Sequence, residues 1–139
     1  MTQQDSIQIV RNNFEAWNKH DPERYVKLLD EKHVIESDTI PALLTGREAG
    51  RQFMQMYVSA FPDLHFDIDQ ILGEGDFVAT RYTATGTHGG NLMGIAPTNK
   101  RAQVHGCTVN EIRNGKIVRS WLYWDTGHLL RQLGVLPPS

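Results

Sequence analysis

One dipeptide constrains this chain more than any other feature. Asn114-Gly115 stands between residues 102–112 and 116–124, two runs rich in β-branched and aromatic side chains. A two-residue hairpin turn of type I′ needs positive φ at both central positions, and Asn-Gly supplies that at little steric cost. Turn length then fixes register, and register fixes which side chains share a face. With a two-residue turn, Arg113 pairs with Lys116 and His105 with Trp124. His105, Cys107 and Val109 then share a face with Val118, Ser120 and Leu122, while Thr108 and Asn110 share the other with Arg119. With a three-residue loop and a bulge at Gly115, His105 joins Tyr123, Trp121, Arg119 and Ile117 instead. The first register separates apolar from polar mid-strand residues better, as a sheet with one packed face requires, and is preferred. In both, the Cys107/Val109 face reads as the inner one, which puts His105 inside.

Upstream of the hairpin the period changes. Ile7, Val10, Phe14 and Trp17 recur at helical spacing. Asp21-Pro22 caps and opens a second, short helix with Tyr25, Leu28 and Leu29 on its apolar face. Val34-Ile35-Glu36 reads as a short strand. Thr45-Gly46-Arg47-Glu48 matches a capping box and predicts a third helix that buries Ala49, Phe53, Tyr57 and Ala60. Leu64, Phe66 and Ile68 then alternate with His65, Asp67 and Asp69, the pattern of a half-buried strand. Residues 77–87 continue the sheet, residues 89–100 form a glycine-rich loop, and Asp125 caps a last helix over residues 127–133. Helices first and an antiparallel meander after them define an α+β fold with helices on one face of the sheet. No Gly/Ser linker or repeat divides residues 1–139, so one domain is expected.

Composition removes several function classes. Fourteen Lys and Arg stand against sixteen Asp and Glu, a formal charge of −2. That leaves no basic footprint for nucleic acid or an anionic membrane. The single cysteine, Cys107, forms no intrachain disulfide and reads as an inert buried thiol. The six histidines lack metal-ligand spacing, so no metal is expected, and no phosphate- or dinucleotide-binding glycine motif implies a cofactor. The N-terminus lacks a signal-peptide pattern and no run approaches the ~20 apolar residues of a membrane span, so a cytoplasmic protein is expected.

Thr85-Gly86-Thr87-His88, Gly94-Ile95-Ala96-Pro97-Thr98, Gln103-Val104-His105-Gly106, Asn114-Gly115-Lys116-Ile117-Val118, Trp121, Asp125 and Leu129-Leu130-Arg131-Gln132-Leu133-Gly134 follow one another in an order that resembles the SnoaL-like polyketide cyclases and their "ester cyclase" relatives. Phe14-Glu15-Ala16-Trp17-Asn18 and Asp21-Pro22 extend the resemblance across most of the chain. It implies an NTF2-like cone: three N-terminal helices on a strongly curved antiparallel sheet, a short C-terminal helix and a deep pocket between them. It also implies homodimers or higher homo-oligomers, and intramolecular aldol cyclisation without metal or organic cofactor. A base removes a proton beside a carbonyl and a donor steadies the enolate oxygen. His105, whose imidazole titrates near neutrality, and Asp125 are the candidate catalytic pair. Trp17, Phe53, Tyr57, Arg81, His88, Met93, Leu122 and Trp124 are candidate contacts to a small hydrophobic molecule. The chain departs from the family in one respect: no carboxylate stands between Lys116 and Trp124. Three readings therefore stand together: a cofactor-independent acid/base enzyme for a bulky apolar carbonyl compound, a non-catalytic binder of such a molecule, and an NTF2-type dimerisation module.

Overall fold

The computed structural model describes residues 2–137. Its elements are α1 (Gln3–Asn18), α2 (Pro22–Val26), β1 (Leu29–Glu36), β2 (Leu44–Thr45), α3 (Arg47–Ala60), β3 (His65–Glu74), β4 (Phe77–Thr87), β5 (Arg101–Arg113), β6 (Lys116–Trp124) and α4 (Thr126–Gln132). The strands form one six-stranded sheet in the order β2-β1-β6-β5-β4-β3. Consecutive strands β3 to β6 pair antiparallel, while β1 lies parallel to β6. The resulting α+β architecture is the NTF2-like cone, a curled and mostly antiparallel sheet with helices on its inner face.

Local chemistry sets the helix ends. Thr2 and Asp5 form a reciprocal capping box at α1. Asp21 accepts from the Arg24 N–H and Pro22 opens α2, as expected. The α3 start differs from the sequence expectation. Thr45 belongs to β2, and the N-cap is Gly46 at φ 95° with no side-chain cap. Its N–H donates to the His33 carbonyl at 2.7 Å, so Gly46 ties the helix start to β1, and its left-handed backbone suits glycine. Leu29 opens β1 rather than extending α2, because the helix ends at Val26.

The hairpin turn has the expected two residues, with φ 51° at Asn114 and 76° at Gly115. Arg113 faces Lys116 and Ile112 faces Ile117. The register then shifts by one between Glu111 and Ile112, so that Glu111 faces Arg119 and Asn110 faces Ser120. The extra residue, Val118, is a bulge on β6. Below it β6 keeps Ser120, Leu122 and Trp124 inward, but they now meet the even residues of β5. A second register shift lies on β3, between Ile68 and Gln70. Bulges increase local twist and curl a sheet, here around the inner side.

The core fills that curve. Val10 and Phe14 of α1, Tyr25 and Val26 of α2, and Met54 of α3 pack on Val78, Tyr82, Ile112 and Ile117 of the sheet. Tyr82 lies directly opposite Gly106. A Cβ on Gly106 would sit 2.3 Å from the Tyr82 hydroxyl and 2.4 Å from its ring, so the glycine is what admits the tyrosine. A second cluster, with Phe61, Leu92, Leu129 and Leu133, closes the end near α4. Among the described residues, no helix is long and apolar enough to cross a membrane.

Candidate functional site

Helices and curled sheet do not meet everywhere. Between them lies a cavity of about 120 Å³. Trp17, Phe53, Tyr57 and Trp124 form a continuous edge-to-face aromatic wall, with ring centroids 5.8, 5.1 and 5.7 Å apart in turn. Phe14, Phe66 and Tyr82 line the cavity from α1, β3 and β4. Aromatic pairs of this geometry stabilise beyond their area alone, which makes the wall stiff.

The sheet side of the cavity carries a compact polar cluster. Thr108 and Asn110 of β5 and Ser120 of β6 all line it. Asn110 is 1% exposed and Ser120 6%. The Ser120 Oγ donates to Asn110 Oδ1 at 2.6 Å and lies 2.9 Å from Nε2 of His33, a fully buried β1 residue. Asn110 Nδ2, Thr108 Oγ1 and, on α1, Asn13 Oδ1 belong to cavity-lining residues and have no partner within the protein, and His33 Nδ1 behind the wall has none either. Buried polar atoms are nearly always paired, so three orphans on cavity-lining residues are a signal. Burial, only partly opposed by the Asp30 carboxylate, pushes the His33 imidazole down to about 4, so it is neutral at pH 7.

No Asp, Glu, His, Lys or Arg lines the cavity among the described residues. Its ionisable groups are tyrosines, and burial pushes Tyr57 up to about 12 and Tyr25 and Tyr82 still higher. All three are neutral phenols near pH 7. The wall can therefore donate and accept hydrogen bonds, but it holds no charge.

The residues expected from sequence divide sharply. Trp17, Phe53, Tyr57, Leu122 and Trp124 line the cavity. His105 does not. It is exposed on the outer face of the sheet, where Nδ1 lies 3.1 Å from the Thr83 hydroxyl, itself bonded to Asp69. The bulge at Val118 breaks the parity on which its inner placement rested, and the Cys107/Val109 face is the outer one. Arg81 is also outward, 3.9 Å from Asp69. Asp125 is exposed and caps α4 through the His128 N–H at 2.9 Å. Its neighbours His105, Arg81 and Cys107 share with it a shallow outer cleft that meets the cavity residues only at Leu122 and Trp124. His88 is fully buried away from the cavity, accepts from the Thr98 N–H at 3.2 Å and packs on Phe61. Met93 is 53% exposed on the loop.

Sequence reasoning passed over Thr108, Asn110, Ser120 and His33. The first two looked like a solvent face because they are polar and alternate with Cys107 and Val109. One pointer was available: Gly106 shares their face, and a glycine inside a strand marks close approach by another group.

A curled sheet roofed by helices over one apolar cavity defines a class of small α+β proteins that enclose small molecules. Within that class, the SnoaL-like polyketide cyclase model matches residues 7–133, and the chain belongs to that family. The crystal structure of AclR, a candidate hydroxylase from Streptomyces galilaeus, is 29% identical, with a TM-score of 0.88 over 99% of this chain and 86% of that one. IdmH, a candidate polyketide cyclase from Streptomyces antibioticus, is 30% identical, with a TM-score of 0.80 over 94% of this chain and 99% of that one. TsrD from Streptomyces laurentii is 26% identical, with a TM-score of 0.87 over 98% and 99%. No curated protein matches the chain.

Proposed function

We propose that the chain holds a neutral, mostly apolar carbonyl compound in the cavity and promotes its cyclisation in the manner of a cofactor-independent polyketide cyclase. The observation that carries this reading is the polar cluster Thr108, Asn110 and Ser120 on the sheet side of a wall that is otherwise apolar and aromatic apart from Asn13 and Thr85. Such sites bury most of a ligand against apolar surface and orient it with a few polar groups. An apolar cavity of about 150 Å³ holds benzene, so about 120 Å³ admits one small ring at a time. A longer compound extends past the partly exposed Leu64, Leu122 and Trp124.

The chemistry follows from what the wall can supply. A 1,3-dicarbonyl compound loses its central proton readily, so solvent can serve as base. The wall would hold the chain folded on itself and steady the enolate oxygen with the donors of Asn110 and Thr108. The substrate's own tether already makes the closure intramolecular, so the wall adds only the smaller gain of holding one folded conformer. One preorganised donor adds about 2.7–4 kcal/mol. His105 and Asp125, outside the cavity, take no part in this scheme.

The absence of any charged base among the described lining residues supports a second reading, a binder without turnover. A 1,3-diketone tethered to an aryl ketone separates the two: its central carbon gives up a proton to solvent and bonds to the ketone carbon, and the ketone oxygen takes a proton back to become the alcohol. The cyclase reading expects faster ring closure with the protein than in buffer, and loss of that acceleration in Asn110→Leu. Binding with no acceleration at any concentration sinks it and leaves the binder.

We also propose that copies pair through the outer sheet face. Leu72, Phe77 and Tyr123 are 59%, 44% and 52% exposed there, and Trp121 packs on Phe77 at 6.1 Å. Light scattering should give a dimer for the native chain and a monomer for Phe77→Lys/Tyr123→Lys. A native monomer contradicts the pairing.

A further inference from the structure

The buried chain His33–Ser120–Asn110 has a direction. Asn110 and Ser120 touch the cavity; His33 lies behind them, fully buried, and does not line it. Two proton orders fit the heavy atoms. In the first, His33 Nε2–H donates to Ser120 Oγ, and Ser120 O–H donates to Asn110 Oδ1. The histidine is left with a bare Nδ1 lone pair, and Asn110 keeps its NH2 group free at the cavity wall. In the second, every bond reverses. Asn110 Nδ2 donates to Ser120, Ser120 donates to His33, and His33 carries its proton on Nδ1.

The two orders differ in where they strand a donor. His33 Nδ1 has no partner and no access to the cavity. A proton there would be a buried N–H that neither protein nor ligand can satisfy, whereas an unpaired acceptor is tolerated better. The first order places its spare donors on Asn110, where a ligand can use them. Charge does not disturb the choice. The surrounding inner-face neighbours, Ile35 on β1, Thr108 on β5 and Leu122 on β6, are uncharged. Across the sheet Arg119 turns outward to Glu36. The one acid that acts on the ring is Asp30, and burial outweighs it.

We infer that His33 is a positioning residue. Through Ser120 it locks Asn110 with its NH2 toward the cavity, so the polar end of the site accepts a carbonyl or enolate oxygen and discriminates against groups that offer only a donor or no polar atom. This rests on the cavity being the ligand site. It assigns to a residue that does not line the cavity the hydrogen-bond polarity of Asn110.

The tautomer can be read without mutation. In a nitrogen-15 correlation spectrum of uniformly labelled protein at pH 7, the His33 ring should show the Nε2–H pattern, with Nδ1 at the shift of a bare nitrogen. His33→Gln identifies the signal by its disappearance. An Nδ1–H pattern overturns the inference, whatever any ligand does. The second measurement uses acetophenone and its hydrocarbon isostere α-methylstyrene, titrated by NMR. The ratio of their dissociation constants cancels hydrophobicity. Relative to the native chain, His33→Leu should shift this ratio by about tenfold against the ketone, the worth of one hydrogen bond. His33→Gln, whose amide N–H can still donate to Ser120, should restore it. An unchanged ratio in His33→Leu also overturns the inference. If neither probe binds the native chain, the ligand reading of the cavity fails, and the tautomer still decides the proton order.

Discussion

The two faces of the sheet at the β5–β6 hairpin both carry polar side chains, in opposite settings. The inner face has Thr108, Asn110 and Ser120 against an aromatic wall, uncharged and buried. The outer face has His105 of β5 beside Arg81 and Thr83 of β4 and Asp69 of β3, exposed and knitted by hydrogen bonds and an ion pair. Residue type alone would put the chemistry outside, where the histidine and the carboxylates are. Environment puts it inside, because a hydrogen bond or dipole acts more strongly where water is excluded. On the function proposed above, the buried neutral groups of the inner wall matter more to a ligand than the titratable groups in solvent.

That contrast depends on the alternation of β6. Deleting Val118 would only remove the bulge, because Ile117 and Arg119 would stay opposite Ile112 and Glu111. Inserting one alanine between Arg119 and Ser120 would instead reverse the rest of the strand and turn Ser120, Leu122 and Trp124 outward, exposing the wall. The expected result of the insertion is a chain without cooperative thermal unfolding or a near-ultraviolet circular dichroism signal. A native-like melt would show that β6 absorbs the extra residue as a second bulge.

The next effects are smaller. Between about pH 4 and the ordinary histidine value of 6.5, the unfolded chain binds a proton at His33 that the folded chain refuses. Stability is therefore fully present above about 6.5, falls as the pH drops toward 4 and is flat below. The drop amounts to about 3 kcal/mol. Urea denaturation of the native chain should show this slope, and His33→Gln should lack most of it. Gly106→Ala should cost about 1–3 kcal/mol by overpacking against Tyr82. On the outer face, His105→Ala should stay within about 0.5 kcal/mol, because it removes one exposed contact. A large loss there would break the distinction between the faces.

How far the sequence could carry this is visible in the same strands. The turn at Asn114-Gly115, the helix at Asp21-Pro22, the apolar stripe of α1 and the cap at Asp125 all rest on local rules, and local rules were enough to read them. The aromatic wall was also legible, since Trp17, Phe53, Tyr57 and Trp124 each stand on the apolar face of their own element. The polar cluster was not. A bulge leaves no composition signal in Val118, and register is a pairwise property that one strand's alternation does not encode. The inner face is apolar over most of its area, as the usual rule has it, but Thr108 and Asn110 interrupt it where the sheet lines the cavity. His33 was invisible for a further reason: its role is set by Ser120, 87 residues away.

On the function proposed above, ligand recognition belongs to the inner cluster and not to His105. Dissociation constants for acetophenone, measured by NMR titration on Asn110→Leu and His105→Ala side by side with the native chain, decide between the two. Asn110→Leu should weaken binding by about tenfold, one lost hydrogen bond, and His105→Ala should leave it unchanged. The reverse pattern, with His105→Ala weakened and Asn110→Leu unaffected, would contradict the account.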